Sequence, residues 1–152
     1  MSNLPNPDFS TSNMRLVGYS DQAGRCDGVQ IMVRKGFAYV GHIFSKGFSV
    51  IDVRDPAKPK TVRYVAAPHN TWTLHLQAAE DKLLVIHNKD MFAQAELADE
   101  KNYYKGSVSD HASEKPEKRD WSAGMAVYDI STPGDPRQIG FMPVEGTGLH
   151  RL

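Results

Sequence analysis

Histidine is the residue of this chain best suited to chemistry, and four of the six stand at matched positions. His42 and His87 each close a short apolar run, Phe37-Ala38-Tyr39-Val40-Gly41-His42 and Lys82-Leu83-Leu84-Val85-Ile86-His87, 45 positions apart. The same offset carries Gln30 onto His75, and Gly148-Leu149-His150 puts His150 at the next recurrence. Neutral imidazole is the commonest protein ligand for transition metals, and ligands drawn from separate repeats leave coordination positions open for a substrate or water. The spacing therefore predicts His75 and His150 as ligands of a divalent transition metal: zinc, manganese or iron. His69, in Pro68-His69-Asn70-Thr71-Trp72, is a further ligand or the catalytic acid or base, and Gln30, His42, Trp72, His87 and Tyr104 are expected around the pocket. A competing expectation makes His42 and His87 structural, each bonded to a backbone carbonyl. His111 lies in a charged stretch and is expected to be solvated.

Other chemistries have weaker support. The chain has no HExxH and no GxSxG, and Ser107 and Ser109 stand in a polar stretch without a nucleophile motif. Cys26, the single cysteine, has no CxxC or Cys/His spacing around it and reads as a passive thiol.

The elements that position the histidines follow from the repeat itself. Gly47-Phe48-Ser49-Val50-Ile51-Asp52-Val53 with Asp55-Pro56 and Pro59 is matched by Gly124-Met125-Ala126-Val127-Tyr128-Asp129-Ile130 with Thr132-Pro133 and Pro136, 77 positions on. The second copy thus carries 32 extra residues before its Gly124 run. Each copy holds short runs rich in Val, Ile, Tyr and Phe bounded by Gly, Pro, Asp or Lys, which is strand composition. Four strands are predicted in the first copy, at 29–34, 37–43, 47–53 and 61–65, and four in the second, at 74–78, 82–87, 124–130 and 138–142. The insertion, 91–120, opens with helix formers over 93–101 and continues as a polar stretch. It is expected to serve as a lid over the histidines or as an arm to another subunit.

Arg15-Leu16-Val17-Gly18-Tyr19 resembles Arg137-Gln138-Ile139-Gly140-Phe141, so 14–19 is predicted to be an outer strand whose sheet is completed elsewhere. The fold class expected is all-β: a β-propeller of four-stranded antiparallel blades, of which this chain supplies about two. Residues 1–13 form an N-terminal arm and 14–152 a partial propeller, with blades at 28–65 and 73–142 and the start of another at 148–152. Two blades do not close a ring, for which at least four are typical. The remaining blades are expected as a C-terminal continuation or a separate chain, and the expected partners also include, separately, a further copy of the chain in a homo-oligomer. A self-contained β-sandwich is the alternative.

On Phe48-Ser49-Val50-Ile51-Asp52-Val53-Arg54-Asp55-Pro56 and Met125-Ala126-Val127-Tyr128-Asp129-Ile130-Ser131, the chain resembles the bacterial LVIVD-repeat propeller proteins, over roughly residues 14–150. The resemblance implies a propeller fold and carries no catalytic motif, since propellers host many activities.

Eighteen basic and eighteen acidic residues cancel, which argues against a nucleic-acid partner or an anionic membrane surface. Residues 1–12 lack the basic and apolar regions of a signal peptide, and no apolar run approaches the ~20 residues of a membrane helix. A reducing cytoplasmic setting is expected. Two functions follow: a metal-dependent hydrolase or lyase acting on a small molecule at the histidine face, or a noncatalytic scaffold for protein partners.

Overall fold

The computed structural model describes residues 13–25, 27–90 and 119–151. The expectations for Cys26, the 93–101 helix, Tyr104, Ser107, Ser109 and His111 lie outside them. Every regular element among the described residues is a β-strand, and every strand pairing is antiparallel.

The first sheet is a four-stranded meander of β1 (Gly28–Arg34), β2 (Phe37–His42), β3 (Phe48–Asp52) and β4 (Lys60–Val65). β1 and β2 are joined by Lys35 and Gly36 alone, at φ 48° and 75°. Positive φ at both central residues is the hairpin geometry whose twist matches that of the flanking strands. The second sheet runs through β7 (Lys82–Lys89), β8 (Gly124–Asp129) and β9 (Arg137–Pro143). Its inner strand is in two pieces, β5 (Thr71–Trp72) and β6 (Leu76–Ala79), both paired with β7. Eight of these nine elements fall where the repeat predicts a strand, within two residues at either end. The exception is β5, which the repeat does not reveal.

The aspartates of the repeated motif make turns. Asp52 Oδ1 accepts the Arg54 N–H at 3.1 Å and Asp129 Oδ1 accepts the Ser131 N–H at 2.8 Å, the same contact in both copies. Such side-chain caps fix the chain as it leaves a strand, which is why short polar residues hold these positions. Hydrogen bonds from Arg54 pull the Asp52 carboxyl down to about 2.

The core lies between the two sheets. From the first come Phe37, Tyr39, Phe48 and Val50; from the second come Leu76, Leu83, Val85, Ala126, Tyr128 and Ile130. Phe48 meets Tyr128 edge-on, with ring centroids 5.3 Å apart. Each large side chain fully buried here contributes about 1.5–3 kcal/mol. The Tyr39 hydroxyl, pushed up to about 12 by burial, donates to the Pro133 carbonyl at 3.0 Å, and Arg63 forms an ion pair with Asp135.

Repeat positions and faces together define how the sheets stack. Tyr39 and Val50 form the front face of the first sheet; Ala38, Val40 and Ile51, packed with Val53, form its back. By the repeat, Leu83, Val85, Tyr128 and Ile130 correspond to Ala38, Val40, Ile51 and Val53, so the second sheet offers its back to the front of the first. Such front-to-back contact is heterologous, because it joins two different faces.

Residues 14–19, predicted as an outer strand, pair with no described strand. They lie over the back of the first sheet, where a groove is bordered by Tyr19, Ile31, Val40, Ile51, Pro56 and Pro59.

Candidate functional site

Both inner strands are irregular at the same repeat position. β1 carries a register shift between Gly28 and Gln30, and the inner strand of the second sheet breaks over 73–75. The break is accommodated by Gly41: a Cβ there would stand 2.3 Å from the Leu74 carbonyl oxygen, so only glycine admits so close an approach. His75 is thereby turned toward Gln30.

The Gln30 side-chain oxygen accepts from His75 Nδ1 at 3.0 Å and from the Leu76 N–H at 3.0 Å. The backbone donor identifies this atom as the amide oxygen, and an oxygen acceptor requires the proton of His75 to sit on Nδ1. Neutral His75 therefore carries its lone pair on Nε2. Burial, reinforced by the nearby positive charges of His150 and Arg151, lowers the His75 pKa and favours that neutral form. The exposed His150 ring stands edge-on to His75 at 5.4 Å between centroids, and the buried Trp72 ring lies 6.3 Å from His150. Gln30, Trp72, His75 and His150 thus come together. Residues 147–149 reach this point by pairing with the end of β7, through Lys89 N–H to the Thr147 carbonyl at 2.7 Å and Leu149 N–H to the His87 carbonyl at 3.3 Å.

The other expected site residues stand apart from this cluster. His69 is exposed, and its carbonyl accepts the Thr71 hydroxyl at 2.8 Å. His42 is completely buried on the back of the first sheet, with Nδ1 2.9 Å from Asp27 Oδ1 and Nε2 2.7 Å from Ser49 Oγ. His87 is buried with Nδ1 2.7 Å from Ser122 Oγ and its ring 5.3 Å from Phe141; burial pushes it down to about 4. Side-chain partners, not the expected backbone carbonyls, hold both rings. Asp27, Ser49 and Ser122 escaped the sequence reading because no local motif links them to their histidines.

Asp27, His42 and Ser49 have the connectivity of a nucleophilic triad, but not its access. Ser49 and His42 are fully buried, whereas a serine nucleophile must meet its substrate. Asp27 also accepts the Phe44 N–H at 2.7 Å, the Ser45 N–H at 2.5 Å and the Ser45 hydroxyl at 2.9 Å. Burial works against its charge, yet the bonds from Ser45, Phe44 and His42 hold the carboxyl below its ordinary value. The chain Asp27–His42–Ser49 fastens the 43–47 loop to β2 and β3.

Among the described residues, no group of three or more His, Cys, Asp or Glu side chains is arranged to hold a metal, so the cluster offers two imidazole corners. No described helix is long and apolar enough to cross a membrane. No protein-family model matches the chain, and no curated protein matches it.

Proposed function

We propose that this chain supplies consecutive blades of a β-propeller, and that Gln30, His75 and His150 form part of a divalent-metal site, on the inner strands, of an enzyme acting on a small molecule. Front-to-back stacking supports the propeller, because a two-sheet sandwich needs no such directionality. The observation that carries the site is the double acceptance by Gln30 Oε1. It fixes the His75 tautomer and aims a lone pair through Nε2, as an outer-shell carbonyl does for a metal-bound histidine.

His75 through Nε2 and His150 would hold the ion, with further corners supplied by other blades or by water. When bound, a zinc, manganese or iron ion provides a Lewis acid that polarises a substrate oxygen or acidifies bound water, which suits hydrolysis or elimination. Gln30 keeps His75 oriented, and burial favours its neutral form. Trp72 forms an apolar wall beside His150. His69, on the exposed connector before β5, is the acid or base of this reading, brought in as substrate binds.

The test compares His75→Ala, His150→Ala and His111→Ala in the full chain, with metal content after dialysis and melting temperature read on the same samples. Loss of retained zinc or manganese in the first two, at unchanged melting temperature, supports the site. Equal metal content with earlier melting in His75→Ala rejects it in favour of the scaffold reading, which the enclosed side-chain bonds of His42 and His87 favour.

A further inference from the structure

The ring of His150 makes no hydrogen bond among the described residues; its neighbours are the His75 ring, 5.4 Å away, and the Trp72 ring, 6.3 Å away, between centroids. Its direction is therefore set by the backbone that carries it, and residues 147–149 hang on the end of β7. The backbone bonds there, from Lys89 N–H to the Thr147 carbonyl at 2.7 Å and from Leu149 N–H to the His87 carbonyl at 3.3 Å, need no particular side chain. A further bond does. The Asn88 side chain donates through Nδ2 to the Leu149 carbonyl at 3.1 Å, and since a carbonyl can only accept, the amide nitrogen must be the atom facing it.

The Leu149 carbonyl and the His150 N–H belong to one planar peptide group. Holding that oxygen fixes the plane, and with it the direction in which the chain enters the His150 Cα and its side chain leaves. Two further features single out this bond. Asn88 is only 8% exposed, and a buried amide must find a partner, whereas the same repeat position on the first sheet holds Ile43, which needs none. Gly148, bridged to Asn88, has φ 120°, and a Cβ there would stand 2.3 Å from the His87 carbonyl oxygen. Glycine thus lets the segment lie close enough to β7 for a short side chain to reach the Leu149 carbonyl.

We propose that Asn88 is a positioning residue of the histidine site: its amide holds the Leu149–His150 peptide so that the His150 ring faces His75. The inference rests on the reading of His75 and His150 as metal ligands. Gln30 orients His75 and Asn88 orients His150, each acting through its histidine. The two rings stand on separate segments of the chain, so a metal can use both only if each is held in place beforehand. Losing such an outer-shell partner typically weakens metal binding by about 10- to 100-fold.

The test uses two variants of the full chain: Asn88→Leu, which fills similar space without a donor, and Asn88→Asp, which keeps the shape but offers only acceptors at neutral pH. The nuclear Overhauser cross-peak between the His75 and His150 ring protons, recorded without metal, reads the placement. Zinc titration reads its consequence, and the melting temperature separates both from general destabilisation. In both variants the cross-peak of the unmodified chain should vanish and zinc binding should weaken by about 10- to 100-fold. Asn88→Asp serves alone if Asn88→Leu folds poorly. A cross-peak that persists with only an earlier melt, or zinc binding that is unchanged while His150→Ala abolishes it, overturns the proposal. If His75→Ala and His150→Ala both keep their zinc, the metal reading fails instead, and the cross-peak in the metal-free chain alone decides whether Asn88 sets His150.

Discussion

Gln30 Oε1 lies 3.0 Å from His75 Nδ1, and the two residues hold the same repeat position, one in β1 and the other in the break between β5 and β6. A side chain that touches its own counterpart follows from front-to-back stacking, because stacking sets equivalent positions side by side. His150, the next recurrence, continues the row with its ring 5.4 Å from His75. The site and the packing are therefore one property of the repeat.

Replacing Gln30 should act on His75 before it acts on the sheet. Gln30→Ala strands the Leu76 N–H and frees the His75 ring, which predicts a loss of about 1–3 kcal/mol in stability and a weakening of metal binding by about 10- to 100-fold. Gln30→Glu keeps the acceptor and adds a negative charge beside Nδ1–H, so the His75 pKa should rise. Thermal unfolding, zinc titration and the histidine proton resonances followed against pH check all three outcomes.

Gly41→Ala should separate the strand break from the bulge that receives it. The added methyl meets the Leu74 backbone oxygen, and backbone yields less readily than a side chain. A stability loss of about 1–3 kcal/mol is expected for such overpacking. A His75 pKa moving back toward its ordinary value, measured in the same samples, would report the loss of its burial.

Most strands were legible because the pattern repeats: the Phe37–His42 and Lys82–His87 runs, and the Gly47 and Gly124 runs, mark β2, β7, β3 and β8. The equivalence of Gln30 and His75 was legible for the same reason, but the hydrogen bond between them was not, because it depends on how the sheets stack. Asp27, Ser49 and Ser122 were not, because their partnerships cross between strands and loops at spacings no periodicity imposes. Nor was the break at 73–75 legible: Gly41 creates the space for it from another sheet. Residues 14–19 looked like an outer strand by their resemblance to 137–141; they lie over the Pro56–Pro59 turn, but no described strand pairs with them.

Asp27→Ala should cost more than Ser49→Ala. The carboxylate serves His42, two loop N–H groups and the Ser45 hydroxyl, whereas the Ser49 hydroxyl serves His42 alone. Losing a charged acceptor from several donors predicts at least about 2 kcal/mol, and losing one buried hydroxyl about 1 kcal/mol. Urea unfolding of both variants tests the order. Because Ser49 is enclosed, a serine-directed fluorophosphonate should leave it unlabelled in the folded chain, and labelling at Ser49 would restore the nucleophile reading.

Acid should loosen the chain through its buried histidines. Burial lowers the pKa of both His42 and His87, with Asp27 partly opposing the shift at His42 and His87 reaching about 4. Between the unfolded value of about 6.5 and the folded value, the unfolded state binds the extra proton, so protonation draws the equilibrium toward unfolding. Stability from these groups is therefore fully present above about pH 6.5, falls as pH drops, and levels off for His87 once pH passes below about 4. The slope contributed by one such histidine approaches about 1.4 kcal/mol per pH unit within that window. His87→Gln removes the titrating group while keeping an amide that can bond Ser122, so its unfolding free energy should decline less steeply between about pH 6.5 and about pH 4. Denaturant unfolding at several pH values, compared between the unmodified chain and His87→Gln, measures the difference, and parallel pH profiles would show that His87 does not carry the acid sensitivity.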